Sequence, residues 1–134
     1  MVFALLEQNH LPVDGLRDHL GTTLVARGQG RIVGSAALET YADGVLLRSV
    51  AVAPELQHRG VGHQLTSAAL HLARTLRARA VYLLTTTGEN YFPRFGFERI
   101  ERRDVPPSVQ QSVEFTAACP ASAVVMRLRL RETV

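Results

Sequence analysis

The sequence predicts an α/β fold in which a sheet of mixed strand direction is flanked by helices. Residues 45–53 (VLLRSVAVA) and 80–86 (AVYLLTT) are apolar on nearly both faces, as central strands are. Between them, residues 60–79 repeat apolar side chains at helical spacing, which predicts a parallel strand–helix–strand unit. Turn signals at residues 28–30 and 43–44 predict antiparallel strands before that unit.

The first half of the chain should contain two short helices and three strands. We expect helices over residues 3–11 and from Asp14, and strands over residues 22–27, 31–40 and 45–53. The third strand ends at Pro54, since proline cannot donate to a ladder.

The second half begins with the clearest helix, over residues 60–79. Its predicted apolar positions are Val61, Leu65, Ala68, Leu72 and Leu76. A strand over residues 80–86, a short helix over 89–95 stopped by Gly96, a strand from 97–99, a loop at 105–108 and a final strand over 122–130 follow. We expect residues 1–134 to form a single domain.

Composition narrows the classes of partner. All 15 basic residues are arginines, against 12 acidic residues, for a net charge of +3. Arginine suits carboxylates and phosphates, but no basic face is interleaved with aromatic residues, so a small anion is expected rather than a nucleic acid. One cysteine, Cys119, excludes an internal disulfide and a multi-cysteine zinc site, and no metal is expected. No signal peptide or apolar run of ~20 residues occurs, which predicts a cytoplasmic protein without a membrane partner.

Residues 54–65 (PELQHRGVGHQL) join the central strand to the long helix. The first turn of a helix carries unpaired N–H groups and partial positive charge, and glycines let a backbone approach an anion. Arg59 adds charge, and Gln57 and His58 add donors, so the segment suits a diphosphate. Two glycines around one residue could also be a plain tight connection. The spacing matches neither a P-loop nor the dinucleotide fingerprint.

The segment VAVAPELQHRGVGHQL, followed by YLLTTT and NYFPRFGF, resembles the signature of the GCN5-related N-acetyltransferases (GNATs). The resemblance implies that acetyl-CoA is the cosubstrate and that loop amides bind its pyrophosphate. It also implies that the strand backbone pairs with the pantetheine arm and that the Val50 N–H binds the reacting carbonyl oxygen. The implied coenzyme-binding residues are Val50, Ala51, Val52, Gln57, His58, Arg59, Gly60, Val61, Gly62 and His63.

A narrower resemblance concerns the acceptor. LLRSVAVAP, LLTTT, YFPRFGF, VPPSVQQSVEF and CPASAVVM together are similar to the small acetyltransferases of arsenic-resistance operons, and more loosely to the acetyltransferase domain of N-acetylglutamate synthases. This implies direct transfer of an acetyl group to the amine of a small amino-acid-like acceptor.

The chain departs from the family pattern at two places. It begins at a helix, so the family's usual first strand is missing; either an exposed sheet edge invites a homodimer, or the true start codon lies upstream. The tyrosine that many members use as general acid falls at Phe92, and Tyr91 is expected to face elsewhere.

Several charged residues are candidates for the acceptor side. Glu39 and Glu89 are candidate bases, although a carboxylate at such a position is more often a solvated surface group. Arg48 interrupts an apolar strand and must be paired, either with the carboxylate of the acceptor or with Asp43 or Glu39. The other candidates on the substrate side are Thr86, Arg17 and Arg127, and Cys119 is expected to be inert.

Two alternatives to an enzyme remain open from the sequence. Phe92 would suit a non-catalytic acyl-CoA sensor on the same fold, and an exposed sheet edge would suit an interaction module.

Overall fold

The computed structural model of the protein describes residues 21–28, 30–57, 59–112, 114–115 and 123–130. Several predictions fall outside these residues. They concern the helices expected within residues 3–20, the missing first strand, Arg17, His58 and Cys119. The roles predicted for them stay predictions.

Six strands and two α-helices make up the described part of the chain. The strands are β1 (Thr23–Gly28), β2 (Arg31–Tyr41), β3 (Gly44–Val52), β4 (Ala80–Thr85), β5 (Glu98–Ile100) and β6 (Val124–Arg129). The helices are α1 (Val61–Thr75) and α2 (Pro107–Gln110), and 3₁₀ turns cover Pro54–Leu56, Phe92–Phe95 and Arg102–Asp104.

The strands form one sheet in the order β1-β2-β3-β4-β6-β5. The β3–β4 pair is parallel and the other four neighbouring pairs are antiparallel. The parallel pair follows from α1, because a helical crossover carries the chain from the end of β3 back to the start of β4. The predicted mixed, mostly antiparallel sheet is confirmed.

Helix α1 covers one face of the sheet. Its buried residues are Leu65, Thr66, Ala69, Leu70 and Ala73. The prediction that Ala68 and Leu76 face inward is wrong, since both are exposed. The helix ends at Thr75, so Leu76 is its C-cap residue, and Arg77 then reverses the chain with a left-handed φ of 61°.

The other face carries a smaller core beneath α2, formed by Leu46, Ala80, Tyr82, Val105, Val109 and Val125. The loop predicted at 105–108 ends earlier than expected, because Pro107 begins α2 at a position where a missing N–H costs nothing. The short helix predicted over residues 89–95 is a 3₁₀ turn beginning at Phe92, and it ends at Gly96 (φ 99°) as predicted. The end of β3 and the start of α1 are joined by residues 53–60, so they lie close to each other.

Candidate active site

A gap opens in the sheet between β3 and β4. Among the described residues, the β3–β4 ladder covers two pairs, Val45–Val81 and Leu46–Tyr82, although both strands continue well beyond them. On its far side, β4 remains paired with β6 as far as Thr85. The second half of β3 therefore parts from β4 and borders a cleft in the sheet.

Two main-chain residues of β3 face this cleft. The Ala53 N–H donates to the Val33 carbonyl on β2 at 2.7 Å. Successive residues of a strand alternate the side to which their N–H and C=O groups point. Because the register is continuous from Ala51 to Val52, the polar groups of Val50 and Val52 point away from β2, toward the cleft.

The beginning of α1 lies beside the same end of β3. Gly60 is the N-cap residue, with φ 83°, and the first helical hydrogen bond runs from the Gln64 N–H to the Gly60 carbonyl at 3.0 Å. The amides of Val61, Gly62 and His63 precede that bond, so they point out of the helix end. The first turn of α1 holds no acidic residue, and no side chain caps it among the described residues.

Space over this helix end suits a bound anion. A Cβ atom added to Gly62 would lie 3.5 Å from Cγ2 of Val52 and 3.9 Å from Oη of Tyr91, which are ordinary contacts. Protein packing therefore does not require glycine at this position, and the open backbone is available to a ligand. Arg59 and His63 are exposed beside it. The described residues thus fit the diphosphate of coenzyme A.

Gln57 has a structural contact here. Its Nε2 donates to the Val52 carbonyl at 3.1 Å and so ties the connecting loop to the end of β3. A direct contact of Gln57 with phosphate stays a prediction.

A cluster of aromatic side chains from residues 91–95 packs against the start of α1. The Tyr91 hydroxyl would lie 3.9 Å from a Cβ atom added at Gly62, so this side chain faces the start of α1. That Tyr91 does not replace the family's acid stays a prediction. The ring of Phe95 packs against two neighbouring rings: its centroid lies 5.6 Å from that of Tyr91 and 4.9 Å from that of His63 on α1. Phe92 is half-buried, with its ring 5.7 Å from that of Phe97.

Arg48 lies in a buried polar cluster on the α2 face. Its Nη1 donates to Oε2 of Glu39 at 2.8 Å, and its Nη2 lies 3.7 Å from Oε2 of Glu114. The side chains of Arg48 and Glu39 are 0% and 1% exposed. Hydroxyls of Tyr41 and Ser112 both donate to Oε1 of Glu39. Of the two pairings predicted for Arg48, the structure shows the one with Glu39.

These contacts set the protonation of the cluster. Burial alone would raise the pKa of Glu39, but hydrogen bonds from Ser112, Tyr41 and Arg48 outweigh it and hold that pKa below its usual value. Burial and the bond to Glu39 raise the pKa of Tyr41 to about 12. A carboxylate held ionised and hydrogen-bonded in this way is a poor proton acceptor, which weighs against Glu39 as the base.

The remaining described candidates lie on β6 and in the segment that follows β4. Glu89 is about half exposed and lies 3.8 Å from Arg99. Arg127, on β6, donates from Nη2 to Glu98 at 2.9 Å. Thr86 is exposed just beyond the end of β4. The structure therefore places the predicted coenzyme residues of β3 and α1 next to each other, whereas the described residues predicted for the acceptor lie on separate elements.

Sequence reasoning missed Glu114, Ser112, Tyr41 and Ser35. Only the need of Arg48 for a buried partner pointed toward the cluster. Ser112 lies 73 residues from Glu39 along the chain, a separation over which no local pattern could have paired them.

A family model described as "Acetyltransferase (GNAT) domain" matches residues 19–99. The chain therefore belongs to the GNAT acetyltransferase family, as its cleft, loop and helix had indicated.

One protein of similar sequence and two solved structures of similar fold can be compared with this chain. An amino-acid acetyltransferase of Mycobacterium tuberculosis is 37% identical over 81 residues, covering 60% of this chain and 46% of that protein. A structure from M. tuberculosis in complex with CoA is 25% identical, with a TM-score of 0.78 over 97% of this chain and 94% of that one. N-acetylglutamate synthase from Neisseria gonorrhoeae shares the fold at 23% identity and a TM-score of 0.78, over 98% of this chain and 31% of that one. The chain thus spans less than half the length of the first of these relatives.

Two features are absent from the described part of the chain. No helix in it is long and apolar enough to cross a membrane. No group of three or more His, Cys, Asp or Glu side chains in it is arranged to hold a metal ion.

Proposed function

We propose that the protein is an acetyl-CoA-dependent N-acetyltransferase that acetylates the amino group of a small amino-acid-like acceptor by direct transfer. The observation that carries this proposal is the cleft between β3 and β4, which opens directly beside the uncapped start of α1. The similarity to a relative named as an amino-acid acetyltransferase supports the class of acceptor.

Coenzyme A would use the two sides of this junction differently. Its diphosphate would bind the amides of residues 60–63 and the guanidinium of Arg59, where helix charge and arginine charge add. Its pantetheine arm would lie along β3 and pair with the main chain of Val50 and Val52. His58, Ala51 and Gln57 complete the predicted coenzyme-binding set.

The chemical step forms a C–N bond and breaks a C–S bond. The neutral amine attacks the thioester carbonyl, the thiolate of coenzyme A leaves, and the proton of the amine passes to water or a base. The Val50 N–H, which faces the cleft, would donate to the carbonyl oxygen as that oxygen gains charge. A thiol has a pKa of ~8.5, so the thiolate can leave without a strong acid, and Phe92 is compatible with turnover.

The acceptor side is supported less directly. Glu89 is exposed and could take the proton through water, whereas Glu39 is engaged by Arg48. Arg127, Thr86 and Arg17 remain predicted acceptor contacts, as does Arg48 in any state that releases Glu39.

Binding of coenzyme A is the first experiment. Saturation at ~100 times Kd should add about 2.7 kcal/mol to the free energy of unfolding, read as a thermal shift. Arg59→Glu should remove most of that shift, because it places negative charge beside the diphosphate. Arg79→Glu is the matched control: Arg79 is exposed just before β4, past the far end of α1. Equal shifts in both variants would contradict the assigned diphosphate site.

Turnover is the second experiment. Thiol release from acetyl-CoA is measured with a panel of amino acids that includes glutamate and organoarsenical amino acids. Phe92, in place of the family's tyrosine, favours a second candidate function, a non-catalytic acyl-CoA sensor. Binding without thiol release for any acceptor would select the sensor. Absence of binding would exclude both functions and leave an interaction module. A cytoplasmic location and a homodimer remain predictions.

A further inference from the structure

Ser49 has an unusual backbone conformation in the middle of β3. Its φ is 59°, in the left-handed region that residues other than glycine rarely adopt, and its side chain is buried. The β2–β3 register shifts between Ser35 and Ala37, at the level of Ser49. In a regular strand, residue 49 would face the same side as Leu47. Here Leu47 packs into the α1 core, and the next side chains to do so are those of Val50 and Val52, so the alternation changes phase at Ser49. Ser49 therefore belongs to a β-bulge.

Two buried side chains hold the bulge. Oγ of Ser35, which is fully buried on β2, donates to the Ser49 carbonyl at 2.7 Å. Nε of Arg48 donates to Oγ of Ser49 at 3.1 Å. The two contacts reach a main-chain atom and a side-chain atom of the one residue with positive φ in β3.

The first of these contacts also fixes the direction of the next amide. The Ser49 carbonyl and the Val50 N–H belong to one planar trans peptide group, so they point in opposite directions. Since the carbonyl points at Ser35 on β2, the Val50 N–H points away from β2 and into the cleft. A rotation of this single peptide plane would turn the donor away from the cleft.

We propose that Ser35 is a positioning residue for acetyl transfer: its hydroxyl holds the Ser49 carbonyl and thereby aims the Val50 N–H at the reacting carbonyl oxygen. This inference rests on the proposed function. It assigns a catalytic consequence to a side chain on β2 that lines neither the diphosphate loop nor the ladder-free edge of β3.

Ser35→Ala tests the proposal, because it removes the donor and leaves the main chain intact. We expect kcat to fall about 10- to 100-fold, somewhat less than on complete loss of an oxyanion donor. KM for acetyl-CoA should change much less than kcat, since the diphosphate site at residues 59–63 is untouched and Val50 is the one proposed coenzyme contact that the substitution disturbs. Ser35→Cys keeps a weak donor on a somewhat larger side chain, so its kcat should lie between those of the wild type and Ser35→Ala. Thr66→Val is the control, because it removes another fully buried hydroxyl from α1.

A spectroscopic measurement separates positioning from general damage. In amide-resolved NMR of the wild type, addition of acetyl-CoA should shift both the Val50 and the Gly62 resonances. In Ser35→Ala the Gly62 response should persist and the Val50 response should be largely lost. A kcat equal to that of the wild type, a loss matched by Thr66→Val, or an unchanged Val50 response would each overturn the proposal.

The same experiment separates this inference from the proposed function. If the wild type releases no thiol with any acceptor, the enzyme proposal fails, and the Val50 resonance still reports whether Ser35 orients that amide.

Discussion

Replacing Arg48 by methionine should destabilise the protein strongly, because it leaves Glu39 and Glu114 without their shared guanidinium. All three side chains are at most 7% exposed, so water cannot replace the lost partner. Breaking such a buried pair costs about 3–5 kcal/mol. With an unfolding entropy of about 2.1 cal/mol/K per residue, a chain of 134 residues should lose ~10–18 °C in Tm.

Thermal and urea unfolding followed by circular dichroism would measure this change. Arg31→Met is the matched control, since Arg31 pairs with Glu55 at a site where both side chains are about half exposed. That change should cost less than about 0.5 kcal/mol.

The pH dependence provides a further check on the same variant. The lowered pKa of Glu39 contributes stability above the ordinary glutamate pKa of ~4.3, and that contribution is lost as the pH falls through the lowered value. Without Arg48, burial favours the protonated form, so acid neutralises the stranded charge. The difference between variant and wild type should therefore shrink as the pH falls from 7 toward ~4. A Tm loss no larger than in Arg31→Met, together with a raised KM for the acceptor, would show instead that Arg48 binds the acceptor carboxylate.

Three other perturbations give separable results. Gly62→Ala should leave Tm unchanged or slightly raised, because the added Cβ meets only ordinary contacts, yet calorimetry should show at least about tenfold weaker coenzyme A binding. Tyr41→Phe should cost about 1–2 kcal/mol in urea unfolding through the lost bond to Glu39. In the wild type, the free energy of unfolding should decline as the pH rises from ~10, where tyrosine ionises in the unfolded chain, through the raised pKa of Tyr41 at about 12. An ultraviolet titration in which no tyrosine ionises near pH 12 would contradict this. Leu83→Ala, at a side chain in the α1 core, should cost about 2–5 kcal/mol, with kcat retained well below the melting temperature.

Local sequence signals were sufficient for the elements around the coenzyme site. The strand at residues 45–53, the glycines at 60 and 62 and the long helix all follow from periodicity and turn chemistry, and they are adjacent along the chain. Adjacency made the junction of β3 and α1 predictable, because its parts all lie within residues 44–75.

The buried cluster around Arg48 was not predictable in the same way. Glu39, Arg48 and Glu114 come from β2, β3 and the segment after α2, and only the sheet order brings them together. The bulge at Ser49 was also missed, since LLRSVAV contains neither glycine nor asparagine to indicate a positive φ. In both places long-range side-chain contacts override the local preference of the backbone.

The buried arginine and its two carboxylates also constrain how this chain can change over evolutionary time. Loss of Arg48 leaves two carboxylates uncompensated in the interior, whereas loss of either Glu39 or Glu114 leaves one ion pair, and exchange of all three for apolar residues leaves no charge. Arg48 should therefore be retained wherever both carboxylates are present. In an alignment of natural relatives, these three positions should covary, and descendants that lost Arg48 should also have lost the two carboxylates.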